Sequence, residues 1–329
     1  MKKTIAMLLI ALVAITGVFA QGSSEDAGGL ETVRVAYMTN YASLCSLVAG
    51  METGAFEEQG IQVELVEFAD GPTIIAAMES GSIDIGYIGH GAHKLCVNGR
   101  AKIFAFSHVG NGDAVIGLRS HGVTEDPSSL KGKSIGYASG TSSEQILKWT
   151  LESAGLTMDD VTAYEMDAAA ITSAMTSGSL DACANWSPAT FTILDALGDD
   201  AFVVADNVTF SDRSASVASW IVMDKWAQEN RDLLVRFTKG LYAGMDYRAE
   251  NIEQTAEWVA QVLGAGYDTV YAQRGDAEWL TADEMIAQIE DGTIEKMYEV
   301  QKLSFGSEVD PSTPVSDYVM FDIMLEAAE

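Results

Sequence analysis

The sequence predicts an α/β protein of two lobes, the second inserted into the first, with a ligand cleft between them. Three observations carry this. Apolar strand signals alternate with helical periodicities through residue 204; a helix–turn–strand segment occurs twice; and two further strands bracket the second copy. The chain also exceeds what one hydrophobic core ordinarily organises, roughly 250–300 residues.

The first residues stand apart. Lys2 and Lys3 precede an apolar run from Ile5 to Ile15, and Val18-Phe19-Ala20 offers a small-residue cleavage site. Residues 1–20 therefore read as a secretory signal peptide cleaved after Ala20, giving a periplasmic product. The run is too short for a membrane span. The absence of a cysteine at the cleavage site argues against a lipid anchor. Residues 21–31 are polar and rich in Gly and Ser, and are expected to form a flexible lead-in.

Strand signals follow at Val33–Tyr37, Val63–Phe68, Ile83–Ile88, Ile103–Ser107, Ile135–Ala138, Val161–Met166 and Ala201–Val204. Helical patterns lie between them at Cys45–Gln59, Thr73–Ser80, Ser143–Ala154, Ala168–Thr176 and Pro188–Ala196. This alternation predicts parallel sheets covered by helices on both faces. Residues 74–84 (IIAAMESGSID) and 171–181 (ITSAMTSGSLD) share Ile, Ala-Met, Ser-Gly-Ser, a branched aliphatic and Asp at matching positions. Each copy reads as a helix with a buried Met, closed by a left-handed glycine and continued by an apolar strand. Similar units recur in any α/β protein, but identities running through the cap into the strand favour duplication of a lobe. Asp113–Arg119 and Ser216–Met223 read as strands crossing between lobes. The expected division is lobe 1 over 32–115 and 220–329 and lobe 2 over 116–219. Beyond Asp224 the chain is nearly all helix, with Trp226, Leu233, Phe237, Tyr242 and Trp258 at core-facing spacings.

Composition narrows the function. Nineteen basic and 48 acidic residues give a formal charge of −29, which disfavours nucleic acid and anionic lipid as partners. Cys45, Cys96 and Cys183 are scattered singly, the pattern of small buried residues rather than a disulfide framework. His90, His93 and Cys96 are spaced by three on one short helix, which does not close a tetrahedral metal site without a distant carboxylate, so no metal or cofactor is expected. The sequence shows no nucleophile elbow, phosphate-binding loop or carboxylate dyad, and the chain is read as a non-enzyme.

Ligands of open α/β sheets bind beyond the carboxyl ends of the strands, at helix N-termini. The strand-end loops here carry Asn40 and Tyr41, Asp70 and Gly71, His90, Thr141 and Ser142, and Trp186. They offer hydroxyls, amides and flat aromatic faces suited to a small polar molecule. Thr141 and Ser142 also read as helix caps, Asp70 as a cap or as a partner for a ligand amine, and Trp186 as pocket wall or core. None of these loops contains Lys or Arg.

With these segments placed, the sequence resembles the nitrate/sulfonate/taurine family of ABC-transporter substrate-binding proteins. The matching stretches include Glu52-x-Gly54-x-Phe56-Glu57-x-x-Gly60-Ile61, Gly81-Ser82-Ile83-Asp84-x-Gly86, Leu130-Lys131-Gly132-Lys133, Gly140-Thr141-Ser142 and Trp186-x-Pro188. The resemblance implies a type II periplasmic-binding-protein-like fold. Two Rossmann-like lobes would close on a ligand and, as a monomer, dock on an ABC permease with its ATPase. It points to the strand-end residues named above as ligand contacts, and Asp212, near the return crossing, joins Asp70 as a second candidate partner for an amine. A sulfonate, taurine or nitrate is the first expectation for the ligand, and a cationic or aromatic heterocyclic nutrient such as a pyrimidine thiamine precursor is the alternative. A periplasmic sensor domain and a thiamine-pyrimidine synthase-like enzyme are the remaining readings. The latter would need a cysteine-rich motif that Cys45, Cys96 and Cys183 do not make.

Overall fold

The computed structural model describes residues 29–110 and 112–329. The expected signal peptide and all but the end of the lead-in lie outside the described residues. Ten strands form two five-stranded sheets, ordered β2-β1-β3-β10-β4 and β7-β6-β8-β5-β9. The first lobe contains β1 (Glu31–Met38), β2 (Ile61–Phe68), β3 (Ile85–Ile88) and β4 (Lys102–Val109), and β10 (Val217–Val222) returns to it. The second contains β5 (Ala114–Leu118), β6 (Ser134–Tyr137), β7 (Thr162–Glu165), β8 (Ala182–Asn185) and β9 (Ala201–Asp206). Position for position the two orders are the same.

Helices α1 (Tyr41–Glu52), α2 (Ala55–Glu58), α3 (Gly71–Glu79) and α4 (His93–Val97) belong to the first lobe, and α5 (Ser142–Ser153), α6 (Ala168–Thr176) and α7 (Ala189–Leu197) to the second. A helical run of α8 (Asp224–Glu229), α9 (Arg231–Glu250), α10 (Ile252–Leu263), α11 (Tyr267–Ala272), α12 (Ala282–Glu290), α13 (Thr293–Ser304) and α14 (Phe321–Glu326) closes the first lobe. The pattern expected over Cys45–Gln59 divides in two. It starts early because Asn40 Oδ1 accepts the Ser43 N–H at 2.9 Å, and it breaks where the Thr53 hydroxyl bonds back to the Ala49 carbonyl at 2.7 Å. Among the described residues no helix is long and apolar enough to cross a membrane.

The sheets are mixed, where strand–helix alternation alone predicts parallel ones. β1 pairs in parallel with β2 and β3, and β6 with β7 and β8. β10 lies antiparallel between β3 and β4, and β5 antiparallel between β8 and β9. The cause is topological. The parallel strands point their carboxyl ends at the cleft, so a chain arriving from the other lobe must run away from it. All of β5 lies in the second sheet and all of β10 in the first, so the crossings fall between Val109 and Ala114 and between Asp206 and Val217.

The sequence repeat is a repeat in space. Ile74, Ile171 and Met175 are fully buried, Met78 nearly so, and Gly81 and Gly178 end their helices at φ of 77° and 71°, where a side chain would be strained. The aspartate after each turn makes the same bonds. Asp84 Oδ2 accepts the Arg34 N–H at 2.9 Å while the Asp84 N–H reaches the Arg34 carbonyl at 3.0 Å. Asp181 Oδ2 accepts the Ser134 N–H at 2.8 Å while its own N–H reaches the Ser134 carbonyl at 2.9 Å. Each aspartate thus ties the turn to the first strand of its sheet. Asp84→Ala and Asp181→Ala should each cost about 1–3 kcal/mol, since each strands a backbone N–H. In the double variant the losses should add to within about 0.5 kcal/mol, because the sites share no partner. Urea unfolding of single and double variants measures this, and a strongly cooperative loss would show that the lobes do not carry these ties independently.

Candidate functional site

The carboxyl ends of the parallel strands of both sheets converge on one cavity, partly open to solvent. The first lobe contributes the starts of α1 and α3. Asn40 is spent on capping α1, and Asp70 Oδ1 accepts the Thr73 N–H at 2.8 Å to cap α3, yet both residues border the cavity. Tyr87 of β3 and His108 of β4 form the wall behind them. The second lobe contributes Thr141 and Ser142 at the start of α5, and Trp186 and Ser187 beyond β8. The Thr141 hydroxyl donates to the Ala138 carbonyl at 2.7 Å and accepts the Ser143 N–H at 3.2 Å, so it also caps α5.

A third contributor was not legible in the strand-end loops. Gln273, Asp276, Ala277 and Trp279 come from the link between α11 and α12. A two-way backbone pairing of Glu278 with Val109 docks this link on the end of β4. The only signal in the sequence is an aromatic and an acid inside a short Gly-containing break between helices (QRGDAEWL).

Six of the nine expected site residues border the cavity: Asn40, Asp70, Gly71, Thr141, Ser142 and Trp186. The other three do not. Tyr41 is turned into the core with its ring edge-on to Trp279 at 5.4 Å, and its backbone N–H donates to Gln273 Oε1 at 2.9 Å, so it supports the wall from behind. His90 is buried and does not border the cavity. Its Nδ1 is 3.0 Å from Ser214 Oγ, its ring meets Trp149 and Phe305 edge-on, and burial pushes its pKa down to about 3. Asp212 is exposed on the return crossing, where the turn after residues 208–210 faces it outward. Of the three residues weighed as a metal clip, His93 has its ring nitrogens at 3.0 Å from the Gly89 carbonyl and 2.9 Å from Ser219 Oγ, and Cys96 is wholly in the core.

The electrostatics are lopsided. The cavity carries two carboxylates, Asp70 and Asp276, and no Lys or Arg among its described lining residues. Burial pushes Asp276 up to about 6 against a hydrogen bond from Ser187. Beside the cavity, burial pushes Asp113 up to about 7, although Ser142 Oγ donates to it at 2.6 Å and Asn207 Nδ2 at 3.2 Å. Arg248 sits behind the wall, its guanidinium 5.3 Å from the Trp279 ring centre and donating to the Leu280 carbonyl at 2.6 Å.

The lobes touch at Gly91. A Cβ there would lie 2.1 Å from the Thr141 carbonyl carbon and 2.4 Å from the Ser142 nitrogen. Main chain cannot yield as a flexible side chain would. Gly91→Ala should therefore hold the lobes apart, weakening ligand binding about tenfold or more with a nearly unchanged melting temperature. Calorimetric titration beside thermal melting checks this, and unchanged affinity would mean that this approach of the lobes does not accompany binding.

Comparison with known proteins agrees with this architecture. The family model described as NMT1/THI5 like matches residues 42–255. A Brucella abortus protein named as a binding protein is 30% identical over 293 residues, 88% of this chain and 90% of that one. A Bacillus subtilis protein named for binding aliphatic sulfonates is 27% identical over 80% of this chain and 79% of that one. Among solved structures, the alkanesulfonate-binding protein of Xanthomonas axonopodis bound to MOPS superposes with a TM-score of 0.66 at 20% identity, covering 89% of this chain and 99% of that one. The relatives are in the main binding proteins, and the two-sheet α/β architecture is that of the periplasmic-binding-protein fold. The chain belongs to the NMT1/THI5-like family.

Proposed function

We propose that this protein is the extracytoplasmic solute-binding component of an ABC importer, and that its ligand is a planar nitrogen heterocycle bearing hydrogen-bond donors, of the aminopyrimidine kind. Closure of the lobes would capture the ligand and present it, chemically unaltered, to a permease coupled to an ATPase. The observation that carries the ligand class is the lining itself. Aromatic rings come from Tyr87, Trp186 and Trp279, while Asp70 and Asp276 supply acceptors with no Lys or Arg among the described lining residues. Aromatic walls select planar rings, and half-buried carboxylates select N–H groups over anions.

A sulfonate or taurine is the second reading. It is supported by the Bacillus relative's name and by the starts of α1, α3 and α5 at the cavity, since helix N-termini favour anions. Against it, Asn40, Asp70 and Thr141 already occupy N–H groups at those starts, and two carboxylates would repel the anion. Calorimetric titration with 4-amino-2-methylpyrimidine and with taurine decides between the readings, because binding of taurine alone would overturn the heterocycle.

Two further outcomes follow from the lining. Trp186→Ala should weaken binding by about 2 kcal/mol, roughly thirtyfold, while leaving the second lobe folded. A variant that melts much earlier yet binds normally would place Trp186 in the core instead. The second outcome concerns pH. Asp276 accepts more strongly from a ligand N–H as carboxylate than as neutral acid, so the affinity advantage of wild type over Asp276→Asn should be greatest above pH 7 and shrink as pH falls through about 6. Stability should move the opposite way. A carboxyl whose folded pKa is raised binds its proton more tightly when folded, so its contribution is lost as pH rises from about 4 through 6. Asp276→Asn should therefore gain on wild type in melting temperature between pH 4 and pH 7. Paired melts and titrations at both ends of that range check both signs.

A further inference from the structure

We propose that His108 is a specificity-determining residue, presenting one imidazole nitrogen to the bound ligand from the cavity wall. The inference rests on reading this cavity as the ligand site.

His108 ends an apolar run in β4: Ile103, Phe104, Ala105 and Phe106 are core, Ser107 is its polar neighbour, and its own side chain is fully buried. Its two nitrogens differ in circumstance. Nδ1 is 3.0 Å from Ser107 Oγ, whereas Nε2 has no hydrogen-bond partner among the described residues. A buried polar atom left unmatched is disfavoured, and native structures rarely keep one without a use for it.

The ring is packed between two aromatic neighbours. It lies nearly parallel to Tyr87, with centroids 6.2 Å apart, and 4.7 Å from Trp279 at a 42° tilt. Both neighbours border the cavity themselves. Their faces would align a planar ligand, and His108 adds a directional bond in a wall otherwise built to stack. Burial, reinforced by the nearby Arg248 charge, pushes the imidazole down to about 3, so at neutral pH it offers a hydrogen bond without a charge. Such a group discriminates by geometry, accepting a ligand with a matching polar atom at its edge and rejecting an apolar isostere.

The other histidines lack this combination. His90 also has an unpartnered Nε2, but it is enclosed by Trp149 and Phe305 and does not border the cavity. His93 has both nitrogens engaged. His121 pairs with Asp181 at 2.9 Å at the opposite end of the second sheet.

His108→Phe and His108→Gln separate ligand recognition from packing. Ligand-free His108→Phe should melt at or above the wild-type temperature, because it removes the unmatched nitrogen, yet bind 4-amino-2-methylpyrimidine at least tenfold more weakly. His108→Gln, which restores a polar atom, should recover part of that loss. Wild-type affinity in His108→Phe, or an earlier melt with affinity intact, would overturn the inference and make His108 a packing residue. If wild type binds taurine and not the pyrimidine, the heterocycle reading fails alone. The same variants are then titrated with taurine, and a retained tenfold loss in His108→Phe upholds the role of His108.

Discussion

The site depends on a contact with no side chain on one of its partners. Gly91 lies so close to the main chain at Thr141 and Ser142 that a single methyl group would separate the lobes. Because the approach is made by backbone, it fixes the start of α5 relative to the end of β3 with little freedom to adjust. Everything that lines the cavity is referred to that distance. Tyr87 and Gly89 lie on one side, Thr141 and Ser142 on the other, and Trp186 stands at the duplicate of the position that Gly89 holds in the first lobe. The hinge supports the same geometry from behind. Asp113, on the outgoing crossing, accepts from Ser142 of α5 and from Asn207 of the return crossing, and Asn207 in turn donates to Ser216 Oγ at 3.1 Å. One buried carboxyl thus ties both crossings to the helix that meets Gly91.

Much of this was legible in the sequence because it is local. Helix caps, the left-handed glycines at 81 and 178, and the alternation of apolar strands are decided within about ten residues, so Asn40, Asp70, Thr141 and Trp186 could be placed at strand ends from spacing alone. The duplication was legible for the same reason, since Asp84 and Asp181 repeat with the turn they fasten. Orientation was not. Nothing in the local patterns says that the Tyr41 ring turns inward onto Trp279, that His90 is enclosed by Trp149 and Phe305, or that Asp212 faces outward. The antiparallel setting of β5 and β10 was hidden too, because direction in a sheet depends on where the chain enters it rather than on its composition.

The largest omission was the link carrying Gln273, Asp276 and Trp279. Its place in the site is set by two backbone hydrogen bonds between Val109 and Glu278, a pairing across about half the chain that leaves no periodic signal. Its contribution is chemical as well as spatial. Without it the cavity would hold Asp70 as a lone carboxylate already engaged in capping. With it the cavity gains an acid not committed to a helix, a second indole wall, and the support of Tyr41 through Gln273.

The lobes are also joined away from the cavity, and the chemistry there is different in kind. Lys94 and Glu308 of the first lobe alternate with Glu144 and Lys148 of the second, with contacts of 2.6 Å for Lys94–Glu308, 3.0 Å for Lys148–Glu308, 2.8 Å for Lys148–Glu144 and 3.8 Å for Lys94–Glu144. These side chains remain partly in contact with water, where an ion pair contributes about 0.2–1 kcal/mol, so the ring orients the lobes more than it binds them. At and beside the cavity the balance is reversed. Asp276 in its lining and Asp113 next to it are withdrawn from water without a cation, which is why their pKa values rise, and the Nε2 of His108 has no hydrogen-bond partner among the described residues. On the proposed reading, a ligand that brings hydrogen-bond donors to that wall removes a penalty as well as forming a contact, so its affinity would draw on a cost already built into the ligand-free fold. An anion would face the two carboxylates instead. The proposed ligand class thus rests less on what the cavity attracts in isolation than on what it leaves unsatisfied.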